Sequence, residues 1–402
     1  MARTGIWIIG ARGGLATTLI AGTHLVGMGK APTTGLVTES SSWSKVSLFA
    51  ISDVVFGGHD VRTGSVHESA LEISRTNHSI PLELLPQIAP LLDAADANIR
   101  LGTAYCGGPA IESFAVPATR RNETSRTAIA RLRSDLREFK ERERLSRVVV
   151  VNLASTEPPP DADVPTDRSS LEKCLRTRKG IRASTLYAVA AIEEGMPYVN
   201  FTPSTAALNS GLIALALHHG VPVAGSDGKT GETLVKSALA PMFAHRALSV
   251  LSWQGYNILG DRDGQVLADP RHKASKVKSK DAVLKSILGY APHTHVGIDY
   301  VPSLGDMKTA WDFIHFSGFL GHRMSMQFVW QGCDAILAAP LVLDLCRIVA
   351  RAADMGVAGA IGDLGFFFKS PAGESEHDLH VQWQRLDALA ARLSKQVAKR
   401  RK

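Results

Sequence analysis

The sequence predicts an α/β protein built on a doubly wound parallel sheet of the Rossmann type, and three observations point there. An aliphatic run at the start of the chain, Gly5–Ile9, leads at once into Gly10-Ala11-Arg12-Gly13-Gly14-Leu15-Ala16, followed by helically spaced apolar residues from Thr17 to Val26. Two later strand-like runs, the aliphatic Val148–Val151 and the short Tyr198–Phe201, end in small polar residues, Asn152 to Thr156 and Thr202 to Thr205. Open α/β sheets bind ligands at such strand ends, and glycine or hydroxyl chemistry at several of them favours a wound sheet over a helical bundle.

The chain has 402 residues, 45% apolar and 21% charged, which is enough for two domains with sizeable cores. Its formal charge is +7, partly carried by the terminal Lys399–Lys402. No basic–aromatic module accompanies that charge, so no nucleic-acid partner is expected, and a phosphorylated small substrate fits the balance equally well. No apolar run reaches the roughly 18–20 residues of a membrane span. The first residues show no signal-peptide core, so a cytoplasmic location is expected. Cys106, Cys174, Cys333 and Cys346 lie far apart without a CxxC pair and read as buried thiols in a reducing compartment.

In order along the chain, the first glycine turn allows a close backbone approach to a pyrophosphate, and Ala16 allows close helix–strand packing. A second strand is expected over Thr34–Thr38, ending in Glu39, where an acid binds adenosine ribose hydroxyls and favours NAD over its 2′-phosphorylated relative. A surface glutamate at a strand end is the other reading of Glu39. Phe56-Gly57-Gly58-His59-Asp60 reads as a further glycine-rich turn near the same cofactor, with His59 a hydrogen-bonded loop histidine. The Arg- and Glu-dense stretch 118–147 carries Ile129, Leu132, Leu136 and Phe139 at helical spacing, an amphipathic helix with a solvated charged face. A helix over about Ala183 to Glu194 precedes the Tyr198 strand.

The next stretch, Gly225-Ser-Asp227-Gly-Lys229-Thr-Gly231, lies between an apolar run ending at Ala224 and an amphipathic run through Leu239 and Phe243. A strand thus delivers Asp227 and Lys229 to a helix start whose backbone N–H groups favour an anion. It lacks the Walker pattern. Alone it reads as a capped helix start, but lysines recur in later loops: Lys276 and Lys280, Lys308, and Lys369 after three phenylalanines. Ala247–Trp253 reads as a strand, Tyr256–Gly264 as a loop, and a helix from about Ala282 leads to a strand over Val296–Val301. The aromatic segment Trp311 to Phe319 could line a subunit interface, and two helical segments follow from Asp334 to Ala353. Lysines beside Asp227, Asp306 and Asp334 suit a phosphate and developing oxyanions. With a dinucleotide nearby, this suggests redox chemistry on a phosphorylated sugar-like substrate.

At these residues the chain resembles the myo-inositol-phosphate synthase family, of the archaeal-like rather than the longer eukaryotic type. The resemblance rests on residues 10–16, 56–62, 151–158, 198–204, 225–236, 256–264, 275–280, 300–308, 334–344 and 366–371. It covers the chain nearly end to end; the 118–147 stretch, the Pro/Asp loop after Pro158 and the basic tail match less. It implies conversion of glucose 6-phosphate to inositol phosphate with NAD as a resident cofactor and no net redox change. Carbon 5 is oxidised, carbon 6 loses a proton, the ring closes onto carbon 1, and the hydride returns. It implies a catalytic set of Lys276, Lys280, Lys308 and Lys369, oriented by Asp227 and Asp334. Substrate contacts would come from Ser204, Thr205, Lys229, Asn257 and Asp306. The implied NAD contacts are Gly10, Ala11, Arg12, Gly13, Gly14, Glu39, Asp60, Ala154, Ser155 and Thr156. A divalent cation stays open and would be oxygen-bound, because no His/Cys ligand set is present. The resemblance also implies a homotetramer. It divides the chain into a Rossmann part (1–226), an inserted α/β catalytic and tetramerisation domain (227–332) and C-terminal helices returning to the first domain (333–402). A net dehydrogenase acting on a phosphorylated or homoserine-like substrate, and a non-catalytic NAD-binding assembly protein, are the competing readings.

Overall fold

A computed structural model describes residues 3–120, 123–260, 283–305 and 307–395. Two sheets organise them. The first has seven strands, β1 (Thr4–Ile9), β2 (Val54–Asp60), β3 (Ile99–Leu101), β4 (Arg147–Asn152), β5 (Tyr198–Asn200), β6 (Pro222–Gly225) and β11 (Gly359–Ala360). Their order is β11-β6-β5-β4-β1-β2-β3, and every pairing is parallel. The order of strand succession reverses between β1 and β4, which makes the crevice above their C-terminal ends the expected ligand site.

The sheet is buried on both faces, and the alternation of its side chains shows how. Ile6, Ile8, Val149 and Val151 enter one core with Leu19 and Ile20 of the Gly14–Gly27 helix and with Leu345, Ile348 and Val349 of the Asp334–Asp354 helix. Trp7, Ile9, Val148 and Val150 point the other way, into a core with Leu132, Leu136 and Phe139 of the Ser125–Arg142 helix and Leu186 of the Ala183–Glu193 helix. Strands with apolar residues at every position are what such double burial requires. The Asp334–Asp354 helix is continuous, where two segments were expected, and it packs back onto the first sheet.

The second sheet has the order β10-β9-β7-β8, from β7 (Ser249–Leu259), β8 (His293–Tyr300), β9 (Met307–Ser317) and β10 (Arg323–Cys333). One face packs Val250, Trp253, Ile314 and Phe316 against Ala240 and Phe243 of the Gly231–His245 helix. Its other face carries half-exposed Tyr256 and Trp311, which pair across the strands, and exposed Val329, which pairs with Trp311; at the turn between β9 and β10, Phe319 and Leu320 are almost fully exposed.

Several expectations are corrected here. No strand forms over residues 34–38; Val37–Glu39 is a short 3-10 turn, and the second strand is Val54–Asp60. The pair Gly57-Gly58 therefore sits inside a strand: a Cβ on Gly58 would fall 2.2 Å from the Ile8 carbonyl oxygen and 2.6 Å from Ala11 Cβ. The glycines are there for close packing against β1, not for a turn. Residues 256–259 continue β7 instead of opening a loop, and β10 was not anticipated. Among the cysteines only Cys346 is buried, and Cys106 is exposed. No described helix is long and apolar enough to cross a membrane.

Candidate active site

The first part of the site is the turn after β1. Gly10 has φ of +83°, and a Cβ there would fall 2.9 Å from Ala154 Cα, so the turn lies directly on the segment leaving β4. Gly10 and Ala11 N–H groups both bond the His59 carbonyl, at 2.9 and 3.2 Å. Asp60, 3% exposed at the end of β2, accepts from the Arg12 N–H at 2.7 Å and from the Arg62 N–H at 2.8 Å. Gly13 caps the Gly14–Gly27 helix without a side-chain bond, and a Cβ on Gly14 would meet nothing within 4 Å. A helix N-terminus with backbone donors and open space before it fits a dinucleotide pyrophosphate.

By topology the strand-end acid is Asp60 and not Glu39. Glu39 stands on its 3-10 turn with its carboxylate 2.5 Å from Arg347 Nη1. The neighbouring Val37 and Thr38 N–H groups bond the buried Asp344 carboxylate. Burial raises Asp344 to about 6. The signal for the true second strand was present: Val54-Val55-Phe56 is a β-branched and aromatic run directly before the glycine pair.

Beyond β4, Ala154 and Ser155 are half-buried and Thr156 is buried. Glu157 accepts from Ser184 N at 3.0 Å and from the Ser184 hydroxyl, capping the Ala183–Glu193 helix, and burial raises it to about 6. Ser204 is 3% exposed and its Oγ accepts from the Glu157 N–H at 2.9 Å, so this hydroxyl braces the loop after β4; Thr205 is exposed in the following turn.

The second part of the site is the turn after β6. Residues 226–229 form a two-stranded ribbon with residues 367–370: Ser226 and Ser370 exchange backbone bonds, Lys369 N–H donates to the Asp227 carbonyl at 2.7 Å, and Lys229 N–H donates to Phe367 at 2.8 Å. This ribbon sets Lys369 Nζ 2.9 Å from Asp227 Oδ1. Lys308, at the start of β9, has its Nζ 3.1 Å from Asp334 Oδ2 at the start of the Asp334–Asp354 helix. Gly231, φ +60°, opens the next helix, and a Cβ there would fall 3.3 Å from Lys308 Nζ. The two lysine–carboxylate pairs thus meet at one helix start. Burial works against the Lys369 ammonium, but Asp227, by charge and hydrogen bond, then Asp334 and Glu232, outweigh it and hold the group above its ordinary range.

Sequence reasoning missed part of this site. Glu232 is 2% exposed, 2.6 Å from fully buried Lys236, and its other oxygen accepts from Asn257 Nδ2 at 2.6 Å. Asn257 therefore serves Glu232 directly. Buried Asp312 accepts from Trp253 Nε1 at 2.7 Å, and Gly255 leaves room for both carboxylates, since a Cβ there would fall 2.5 Å from Glu232 Oε1 and 3.3 Å from Asp312 Oδ1. The Glu232–Lys236 spacing of four was legible on a helix, but not its burial. Lys229 is buried with its amine donating to Gln382, not facing an open pocket. Lys276, Lys280 and Asp306 lie outside the described residues. Among the described residues no group of three or more His, Cys, Asp or Glu is placed to hold a metal ion.

A wound parallel sheet with a dinucleotide cradle, next to a buried cluster of lysine–carboxylate pairs, defines a nucleotide-cofactor-dependent α/β enzyme. The chain belongs to the myo-inositol-1-phosphate synthase family, whose NAD-binding family model matches residues 4–391. Inositol-3-phosphate synthase 1 of Bacteroides thetaiotaomicron is 33% identical over 95% of this chain and 93% of its own length. Among solved structures, inositol-3-phosphate synthase of Caenorhabditis elegans superposes with a TM-score of 0.87 at 23% identity, covering 99% of this chain and 87% of that one. A myo-inositol-1-phosphate synthase-related protein of Thermotoga maritima gives 0.79 at 22% identity, covering 97% and 98%.

Proposed function

We propose that the chain is an NAD-dependent inositol-3-phosphate synthase that converts D-glucose 6-phosphate to 1D-myo-inositol 3-phosphate without net redox change. The observation that carries this reading is the meeting of the Lys369–Asp227 and Lys308–Asp334 pairs at the start of the Gly231–His245 helix. Bound NAD supplies a reversible hydride acceptor, which acidifies the C–H next to the oxidised carbon. The protein's own part is electrostatic. Lys369, kept charged by Asp227, donates a hydrogen bond to the carbon-5 oxygen and holds the proton that oxygen exchanges. Lys308, oriented by Asp334, supports the same carbon-5 oxygen as it takes up the enolate charge when carbon 6 loses its proton. We assign Lys276 and Lys280 to the phosphate and to the oxyanion formed on ring closure. Glu232, held by Lys236 and Asn257, completes the negative charge that keeps Lys369 protonated.

We further infer that 227–332 is a catalytic and assembly insertion between 1–226 and 333–402. The exposed apolar face of the second sheet, with Val329, Phe319 and Leu320, supports a homotetramer as the working assembly. A divalent cation, where used, would share phosphate and aspartate oxygens. Incubation with glucose 6-phosphate and NAD, followed by phosphorus NMR, tests the reading. Inositol phosphate formed without NADH accumulation supports it; NADH release with substrate turns it to a net dehydrogenase.

A further inference from the structure

Lys229 follows Asp227 by two residues, is 2% exposed, and has no carboxylate partner among the described residues. Its amine donates to Gln382 Oε1 on the Leu379–Leu393 helix, and Gln382 Nε2 donates in turn to the Glu376 carbonyl at 2.6 Å. Gln382 is itself 1% exposed, so the amide is as enclosed as the amine it holds. The partner is neutral. It satisfies the amine in either protonation state and does nothing to offset the desolvation of an ammonium.

The same ribbon carries Lys229 and Lys369 on facing strands, bridged at Gly228 and Phe368. Lys369 has Asp227, Asp334 and Glu232 to hold its charge. The charged and titratable groups that act on this pair are Lys369 on Lys229, and Lys229 and Glu376 on His377. Burial first, and the Lys369 ammonium second, bring Lys229 down to about 7. His377 is lowered by burial and by Lys229, and its buried Nδ1 has no hydrogen-bond partner. Two adjacent buried amines are thus treated oppositely: one is kept charged, the other is left to change charge near neutrality.

We propose that Lys229 is a positioning residue for Lys369: uncharged, it lets the Asp227–Lys369 pair keep its geometry, and charged, it repels the Lys369 ammonium from it, with Gln382 deciding how easily Lys229 takes the proton. The C-terminal helix is thereby part of the active site although it contributes no group to the substrate. The activity arm of the test rests on the synthase reading; the spectroscopic arm does not.

The test compares wild type, Lys229→Met and Gln382→Glu, with kcat for glucose 6-phosphate measured between pH 5.5 and 9. Wild-type kcat should fall by roughly tenfold per unit below the Lys229 ionisation. Lys229→Met should lose that fall, because no ammonium forms there. Gln382→Glu should move it upward by at least about one unit, since a carboxylate favours the ammonium. KM should change less than kcat in both variants. Ionisation of the substrate phosphate is common to all three proteins and cancels in the comparison. In parallel, the Lys369 ε-carbon is followed by 13C NMR without substrate, assigned by its loss in Lys369→Arg. A shift step in wild type, absent in Lys229→Met and moved upward in Gln382→Glu, supports the proposal. Coincident pH profiles, or a Lys369 signal indifferent to both substitutions, overturn it. A wild-type protein that makes no inositol phosphate would sink the synthase reading instead, and the NMR series would still decide the role of Lys229.

Discussion

Two strand–turn–helix units face the ligand side of this protein, and they differ in the glycine that opens the helix. In the turn after β1, Gly10 closes on the segment leaving β4, but Gly14 at the helix start leaves space, with nothing within 4 Å of where its Cβ would be, and the turn presents backbone N–H groups. In the turn after β6, the glycines let the protein close in. A Cβ on Gly228 would fall 2.1 Å from the Phe201 ring, and one on Gly231 would fall 2.8 Å from Trp330. The first turn is tied down through its backbone by Asp60, with Asp96 paired to the Arg12 side chain, and offers a cradle. The second carries Asp227, Lys229 and Glu232, all buried and each bonded to a residue from another element. One turn leaves room for a cofactor's phosphates; the other gathers charged side chains, which under the proposed function act on a reacting carbon.

The comparison can be broken most directly at Lys369. Lys369→Met should lower kcat by about 10²–10⁴-fold while leaving NAD affinity, read by tryptophan fluorescence, unchanged. A parallel loss of NAD binding would show that the two turns are not separate in function. Gly228→Ala should destabilise the fold by about 1–3 kcal/mol in chemical denaturation, because the Phe201 ring and the ribbon cannot both stay. Gly14→Ala should leave stability unchanged and weaken NAD binding only. Equal stability losses in the two would remove the distinction drawn here.

A finer test uses pH. The folded state holds Lys229 near 7 against an ordinary value of 10.5. The unfolded chain therefore binds more protons across that window, and stability rises with pH through it. The cost is fully present below about 7 and gone above 10.5. Lys229→Met should accordingly be stabilised relative to wild type most at pH 6 and least near pH 10, as read by thermal unfolding across that range. The smallest effect on kcat is expected at Glu232→Gln, which keeps an oxygen for Asn257 and Lys236 but removes one of three charges supporting Lys369. A decrease in kcat of severalfold, without change in NAD affinity, would sharpen the division between the turns.

Much of the fold was legible because it is local. Strand, glycine turn and helix at 4–27, the aliphatic strand at 147–152, and the amphipathic helix with Leu132, Leu136 and Phe139 all follow from periodicity and burial within a few residues. The second strand was misplaced, since the connection from Gly27 to Val54 is long and its 3-10 turns have no periodic signature. Likewise, β9 has one half-exposed face, so its aromatic residues suggested an interface before they suggested a strand, and β10, polar at alternate positions, gave no signal of its own.

By itself the sequence determined the wound-sheet class, the cofactor turn, and which lysines and acids are candidates, because residue type and local spacing carry that information. Only the tertiary structure decided the pairings. Lys369 meets Asp227 across 142 positions, and Lys229 meets Gln382 across 153. It alone showed that Glu39 goes to Arg347 and that Asn257 goes to Glu232. The physical reason is that an amine's charge and proton affinity are set by burial and by the few groups within hydrogen-bonding reach. For a residue in a two-strand ribbon, those groups come from segments that only the completed fold brings together.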